Sequence, residues 1–173
     1  VIQMSRITSS SHVSISERER KIVFAATLVA LFVAAINQTL VSTALPNIVA
    51  DLGGFSSYTW VFTAYMLTST VSSPIWGKLS DLYGRRIFLV LGVVIFIASS
   101  VLNGVAQSMT QLIIFRGIQG FGAGMIMSCA FTLIGDLFAP AERARVQGVM
   151  SGVFGLASVI GPALGGLLTD SLS

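Results

Sequence analysis

The sequence predicts an all-α membrane protein with five transmembrane helices. Three observations carry that prediction. Apolar residues make up 54% of the 173 residues and charged residues only 10%, with a mean hydropathy of +0.86, which lies outside the range of soluble domains. Five apolar stretches are each long enough to cross a hydrocarbon core about 30 Å thick. The Lys and Arg residues between those stretches alternate sharply between rich and empty connections.

In order along the chain, residues 1–21 are polar and Ser-rich and lack the layout of a cleavable signal, so they read as a cytoplasmic tail. The spans follow at about 22–46, 59–76, 87–106, 111–134 and 146–169. The tail and the connections 77–86 and 135–145 hold Arg6, Arg18, Arg20, Lys21, Lys78, Arg85, Arg86, Arg143 and Arg145. Connections 47–58 and 107–110 hold neither Lys nor Arg. The positive-inside rule therefore predicts a multi-pass protein of the cell (inner) membrane with its N-terminus in the cytoplasm.

The same distribution argues against other classes. A net charge of +3 is scattered over short connections and forms no basic face, so no nucleic-acid partner is expected. Cys129 is the one cysteine, which excludes an intrachain disulfide and a thiolate metal site. The single histidine, His12, lies in the polar tail; no nucleophile is paired with a base, and no phosphate-binding loop occurs. The chain is not expected to be an enzyme or to need a metal or cofactor.

Four groups of residues stand out as candidates for function. The stretch Gly77-Lys78-Leu79-Ser80-Asp81-Leu82-Tyr83-Gly84-Arg85-Arg86 places ionised side chains between two apolar runs, so it belongs in headgroups or water. Arg116 lies about one and a half turns inside the fourth span, where an arginine costs about 2.5–3.5 kcal/mol on insertion scales. It either snorkels to the interface or faces a polar cavity. Gln119, three residues on and on the same face, favours the cavity. Asn37 and Gln38 interrupt the first span and point about 100° apart on a helix, which suggests separate purposes: interhelical hydrogen bonding or a water-lined path. Glycines four residues apart recur at Gly120 and Gly124, Gly148 and Gly152, and Gly161 and Gly165, a spacing that lets helix backbones approach closely. Static packing is the reading for Gly148 and Gly152, whereas Gly161-Pro162 reads as a bend, because proline removes a helical hydrogen bond.

These residues resemble the N-terminal portion of a major facilitator superfamily transporter, most closely the drug-proton antiporters with fourteen spans. The 77–86 stretch is similar to the superfamily's GxLaDrxGRr loop, with Gly77, Asp81, Gly84, Arg85 and Arg86 in register. Arg116 followed by Gln119-Gly120 resembles the fourth-span pattern. Gly155 with Gly161-Pro162-Ala163-Leu164-Gly165-Gly166 resembles the fifth-span antiporter pattern, and Asn37-Gln38-Thr39-Leu40 with Ala44-Leu45-Pro46 the first-span pattern. The resemblance implies that 22–173 is a partial six-helix bundle, so the chain is expected to be a fragment whose partner is the missing C-terminal half of the same protein. It further implies proton-coupled efflux of small, lipophilic substrates by alternating access within a lipid bilayer. Asp81 and Arg85 would then latch the halves, Gly77 and Gly84 would allow a tight turn, and Arg116 would couple proton to substrate. Gly161 and Pro162 would shape the fifth span. One position departs from the pattern: an aspartate is expected where this chain has Asn37, and an amide cannot carry a proton. Two alternatives stay open, a porter for a specific metabolite or ion and a non-transporting sensor or inactive truncated remnant.

Overall fold

A computed structural model describes residues 16–52 and 54–172, with the side chains of Asp51 and of 168–172 excepted. Arg6 and His12 of the polar tail lie outside the described residues. Five long α-helices account for nearly all of the described chain: α1 (Glu17–Leu52), α2 (Tyr58–Tyr83), α3 (Arg85–Gly104), α4 (Met109–Leu137) and α5 (Pro140–Leu172), with a single 3₁₀ turn at Phe55–Ser57. No strand occurs among the described residues. The fold is therefore all-α, as the composition requires.

Four of the five helices, α1, α3, α4 and α5, are long and apolar enough to cross a membrane. Helix α2 has 26 residues but is interrupted by Thr63, Thr68, Ser69, Thr70, Ser72 and Ser73. Several of these hydroxyls donate to their own helix: Thr63 to the Thr59 carbonyl at 2.9 Å and Thr68 to that of Ala64 at 2.8 Å. Such back-bonding lets a hydroxyl-rich helix sit among apolar neighbours without a buried, unpaired donor.

Helix α4 is the hub. It packs along both α2 and α3 and touches α1 and α5, while α1 lies mainly against α5. The sequence Gly120-Phe121-Gly122-Ala123-Gly124 makes this possible. A Cβ on Gly120 would run into Thr68 and the Tyr65 carbonyl of α2, and one on Gly124 would lie 2.8 Å from the Ser69 carbonyl. Gly122 faces the other way, where a Cβ would stand 2.8 Å from the Phe96 amide nitrogen and 2.9 Å from the Gly92 carbonyl of α3. Lipid is as apolar as leucine, so close backbone approach of this kind replaces the hydrophobic drive that assembles helices in water. Ser73 of α2 donates to the Gly124 carbonyl at 3.3 Å and Ser128 of α4 to that of Ser73 at 2.5 Å, cross-linking the same seam.

The connections are shorter than the apolar pattern suggests. Residues 77–86 are not a ten-residue loop: α2 runs on to Tyr83, α3 starts at Arg85, and Gly84 alone joins them with φ of 100°. That backbone is one L side chains rarely adopt, so Gly84 makes the turn, while Gly77 lies inside α2 and makes none. Likewise α4 runs to Leu137 and α5 starts at Pro140. Helical hydrogen bonds are equally good in headgroups, so a helix outlasts its apolar run. The start of α4 is capped by Ser108, whose Oγ accepts from the Gln111 amide at 3.3 Å. Its end is covered by Arg143, which donates to the carbonyls of Gly135 at 2.7 Å and Phe138 at 3.2 Å.

Glycine contacts on α4 make a direct comparison. Gly122→Ala should lower the denaturation midpoint of the intact protein in micelles, at a cost of about 1–3 kcal/mol for overpacking. Gly135→Ala, where a Cβ meets nothing within 4 Å, should be neutral or slightly stabilising through helix propensity. Equal midpoints for the two variants would contradict the packing described for α4.

Candidate functional site

Arg116 is 1% exposed and Gln119 is fully buried, so the arginine faces the bundle interior and does not snorkel. Its Nη1 donates to Gln119 Oε1 at 3.0 Å and to Asn37 Oδ1 at 3.3 Å. Gln119 Nε2 also donates to Asn37 Oδ1, at 3.2 Å. Two side chains of α3 extend the network: Asn103 Nδ2 donates to Gln119 Oε1 at 2.8 Å, and Asn37 Nδ2 donates to Ser100 Oγ at 3.0 Å. The Tyr65 ring of α2 lies 5.5 Å from the Arg116 Cζ, within range for a cation–π contact. One polar network thus joins α1, α3 and α4, with Tyr65 of α2 against it.

Every hydrogen-bond acceptor around Arg116 is neutral. Its Nε and Nη2 are buried and have no hydrogen-bond partner among the described residues, and neither does Asn103 Oδ1. The helix geometry separates the two adjacent amides of α1. Asn37 enters the network, whereas Gln38 lines a cleft of about 740 Å³ and its buried Oε1 has no partner.

That cleft is walled by α1, α2, α4 and α5. Ser69, Thr70, Ser73, Ser128 and Thr132 supply hydroxyls, and Tyr65, Met66, Met127, Phe131 and Phe154 supply aromatic and thioether surface. Among the described residues, no Asp, Glu, Lys or Arg lines it. Concave, largely apolar sites with a few polar groups are how proteins bind small organic molecules.

A second cluster sits at the basic end of the bundle. Arg85 donates through Nη2 and Nε to Asp81 Oδ1 at 2.8 and 3.1 Å, through Nη1 to the Thr132 carbonyl at 2.7 Å, and to Asp136. These bonds tie the end of α2, the start of α3 and the end of α4. Asp81 is half-exposed and is already engaged inside this bundle, beside whatever contact it makes elsewhere. Neither Arg86 nor Gly77 hydrogen-bonds to Arg85 in this cluster, and Arg86 is exposed.

On α5 the glycines divide. Gly161 packs on Thr39 and Gly165 on Thr43 of α1, so closely that a Cβ at either would run into the threonine. Thr39 Oγ1 also donates to the Ala157 carbonyl at 3.4 Å. A Cβ at Gly148, Gly152, Gly155 or Gly166 meets nothing within 4 Å, so static packing of Gly148 and Gly152 has no counterpart among the described residues. Helix α5 runs unbroken through Pro162.

Sequence reasoning missed Asp136 as a partner of Arg85, and it missed Tyr65 and Asn103 as neighbours of the central network. Asn103 is the one carboxamide in the third span, a signal of the same kind that marked Asn37. Tyr65 carries no such mark.

Comparison with known proteins agrees with this architecture. The Major Facilitator Superfamily profile matches residues 27–173. The chain is 52% identical over 157 residues to the multidrug transporter protein MdtP of Bacillus subtilis, covering 91% of this chain and 29% of that protein. It is 48% identical over 153 residues to multidrug resistance protein 3 of the same organism, covering 88% and 30% respectively. The chain therefore spans less than a third of the length of either relative.

Gln119 holds the network together, so Gln119→Leu should leave Arg116 with Asn37 as its one acceptor and Asn103 Nδ2 with none. The expected loss is about 1–3 kcal/mol, read as a lower thermal-unfolding midpoint of the intact protein in nanodiscs. An unchanged midpoint would mean that the network contributes nothing to the fold.

Proposed function

This chain belongs to the Major Facilitator Superfamily, and from that premise we propose that it is the N-terminal portion of a proton-driven exporter of lipophilic small molecules. The observation that carries the reading is the cleft between α1, α2, α4 and α5. Its methionine and aromatic walls suit molecules of varied shape, because thioethers and rings repack at low cost. Its hydroxyls and Gln38 offer hydrogen bonds that orient a polar end. The multidrug names of the two Bacillus relatives support a lipophilic substrate class.

Alternating access supplies the mechanism. In this fold family the substrate sits near the bilayer midplane between two bundles, and one bundle rocks against the other. A bundle that rocks has to move as one body. The Arg85 cluster, which joins three helix ends, and the glycine seams of α4 and α5 provide that rigidity on this side. The basic end faces the cytoplasm, with the N-terminus, because Lys and Arg concentrate there.

Proton coupling asks for a group that titrates. Asn37 has the reach to Arg116 but no ionisable proton, and Asp81 and Asp136 sit at the basic helix ends. The proton carrier is accordingly assigned to a carboxylate outside this segment. Arg116 then acts as a fixed positive charge whose field such a carboxylate would feel.

Everted membrane vesicles holding the intact protein test this reading. Adding lipophilic dyes or antibiotics under an imposed pH gradient should collapse the gradient, and Arg116→Ala should abolish the response. No response to any compound, with correct insertion verified, would reject proton-coupled export. A second contrast addresses the basic end: Asp81→Asn should slow exchange several-fold by weakening the Arg85 cluster, whereas His12→Ala should leave it unchanged. Equal rates in the two variants would remove Asp81 from the mechanism.

A further inference from the structure

Arg116 carries a positive charge that none of its hydrogen-bond partners balances. Its Nη1 is committed to two amide oxygens, those of Gln119 and Asn37. Its Nε and Nη2 are buried without a partner among the described residues. The two free groups share one edge of the planar guanidinium, where N–H bonds project side by side with the spacing of the two oxygens of a carboxylate. A lysine offers no such fork.

The surroundings narrow what can fill that edge. Asn37, the group that reaches the guanidinium from α1, is an amide. Asp81 and Asp136 are both engaged by Arg85 at the basic end. No Asp, Glu, Lys or Arg among the described residues lines the cleft; Arg116 touches its wall at Tyr65, and the Arg85 cluster touches it at the Thr132 carbonyl. Tyr65 connects the two spaces: its ring packs on the guanidinium and also forms part of the cleft wall. Arg116 is not itself among the residues that line the cleft, so contact between the free edge and a molecule bound there requires Tyr65 to shift.

We propose that the Nε and Nη2 edge of Arg116 binds the carboxylate of an amphipathic substrate whose apolar body lies in the cleft, so that the transporter takes organic anions in preference to lipophilic cations. This rests on the exporter reading for its substrate, but the site itself is tested separately. A cation in the same cleft would meet the field of an unneutralised guanidinium, whereas Asp81 and Asp136 are already paired with Arg85, which disfavours it. Burial strengthens the effect, because charge is poorly screened in a dry interior.

Direct binding to the intact protein in nanodiscs, followed by fluorescence titration, tests the assignment with three probes of one shape: 1-pyrenebutyrate, its methyl ester and a pyrenylbutyl-trimethylammonium. The carboxylate should bind about tenfold or more tightly than the ester, the value of one or two charge-assisted hydrogen bonds, and the ammonium probe should bind no better than the ester. Arg116→Lys keeps the charge but loses the fork, and should bring the acid-to-ester affinity ratio to within about threefold of one. Asn37→Asp supplies a carboxylate beside the guanidinium in nearly the native shape, and should reduce the ratio in the same way. Equal binding of acid and ester to the unmodified protein overturns the proposal, including the case in which a side-chain carboxylate of the intact protein already occupies the fork. So does an acid preference that survives both variants. Gradient collapse by dyes without any acid preference rejects the anion site and leaves the exporter reading standing; acid preference without transport does the reverse.

Discussion

Hydrocarbon offers this chain neither water for its polar groups nor a hydrophobic force to bring its helices together, and the bundle is built around those two absences. Close packing has to supply the cohesion. That is why Gly120, Gly122 and Gly124 alternate along α4, the outer two admitting α2 and the middle one admitting α3. It is also why Gly161 and Gly165 of α5 stand against Thr39 and Thr43 of α1. In both seams a helix with glycines four apart meets one with hydroxyl residues four apart: Thr68 and Ser72 on α2, Thr39 and Thr43 on α1. The hydroxyls turn back onto their own backbones, so the contact surfaces stay small and internally satisfied.

The same device produces the cleft. A helix that satisfies its hydroxyls against its own carbonyls can present them to a cavity at little cost when the cavity is empty, and can lend them to a ligand when it is filled. Helix α2 does this with Ser69, which donates to the Met66 carbonyl and lines the cleft. Its low apolarity is then a sign of position: it faces a cleft on one side and glycines of α4 on another. Composition along a span therefore reports what the span faces as well as whether it crosses.

Much of this was legible in the sequence, and the rest was not for definite reasons. The all-α membrane class follows from apolar length and charge alternation, which are one-dimensional signals. Arg116 and Gln119 could be placed on one face because three residues make nearly one turn. Their meeting with Asn37, 79 residues away in the chain, is a property of how α1 and α4 cross, and no periodicity encodes it. The stretch 77–86 looked like a loop because charge marks where hydrocarbon ends, whereas helices end where their hydrogen bonding is terminated. Here that point is Gly84, the residue with positive φ. Asp136 gave no sign of partnering Arg85, since 51 residues separate them and the contact needs both helix ends to be level.

Arg85 and Arg116 mark opposite solutions to the same electrostatic problem. Arg85, near the basic end, is offered two carboxylates and the Thr132 carbonyl. Its charge is locally neutralised and its three partners lock helix ends together. Partly exposed ion pairs of this kind contribute little to stability, so the value of the cluster lies in geometry: it fixes the relative heights of α2, α3 and α4. Arg116, in the interior, is given amides alone, although burial makes an uncompensated charge far more costly there. Asn37 has the position to relieve that cost and lacks the charge to do it. A bundle that can assemble a carboxylate pair at its rim surrounds its central arginine with neutral acceptors and leaves its Nε and Nη2 without a partner among the described residues, so the charge it neutralises at the rim stays uncompensated in its interior.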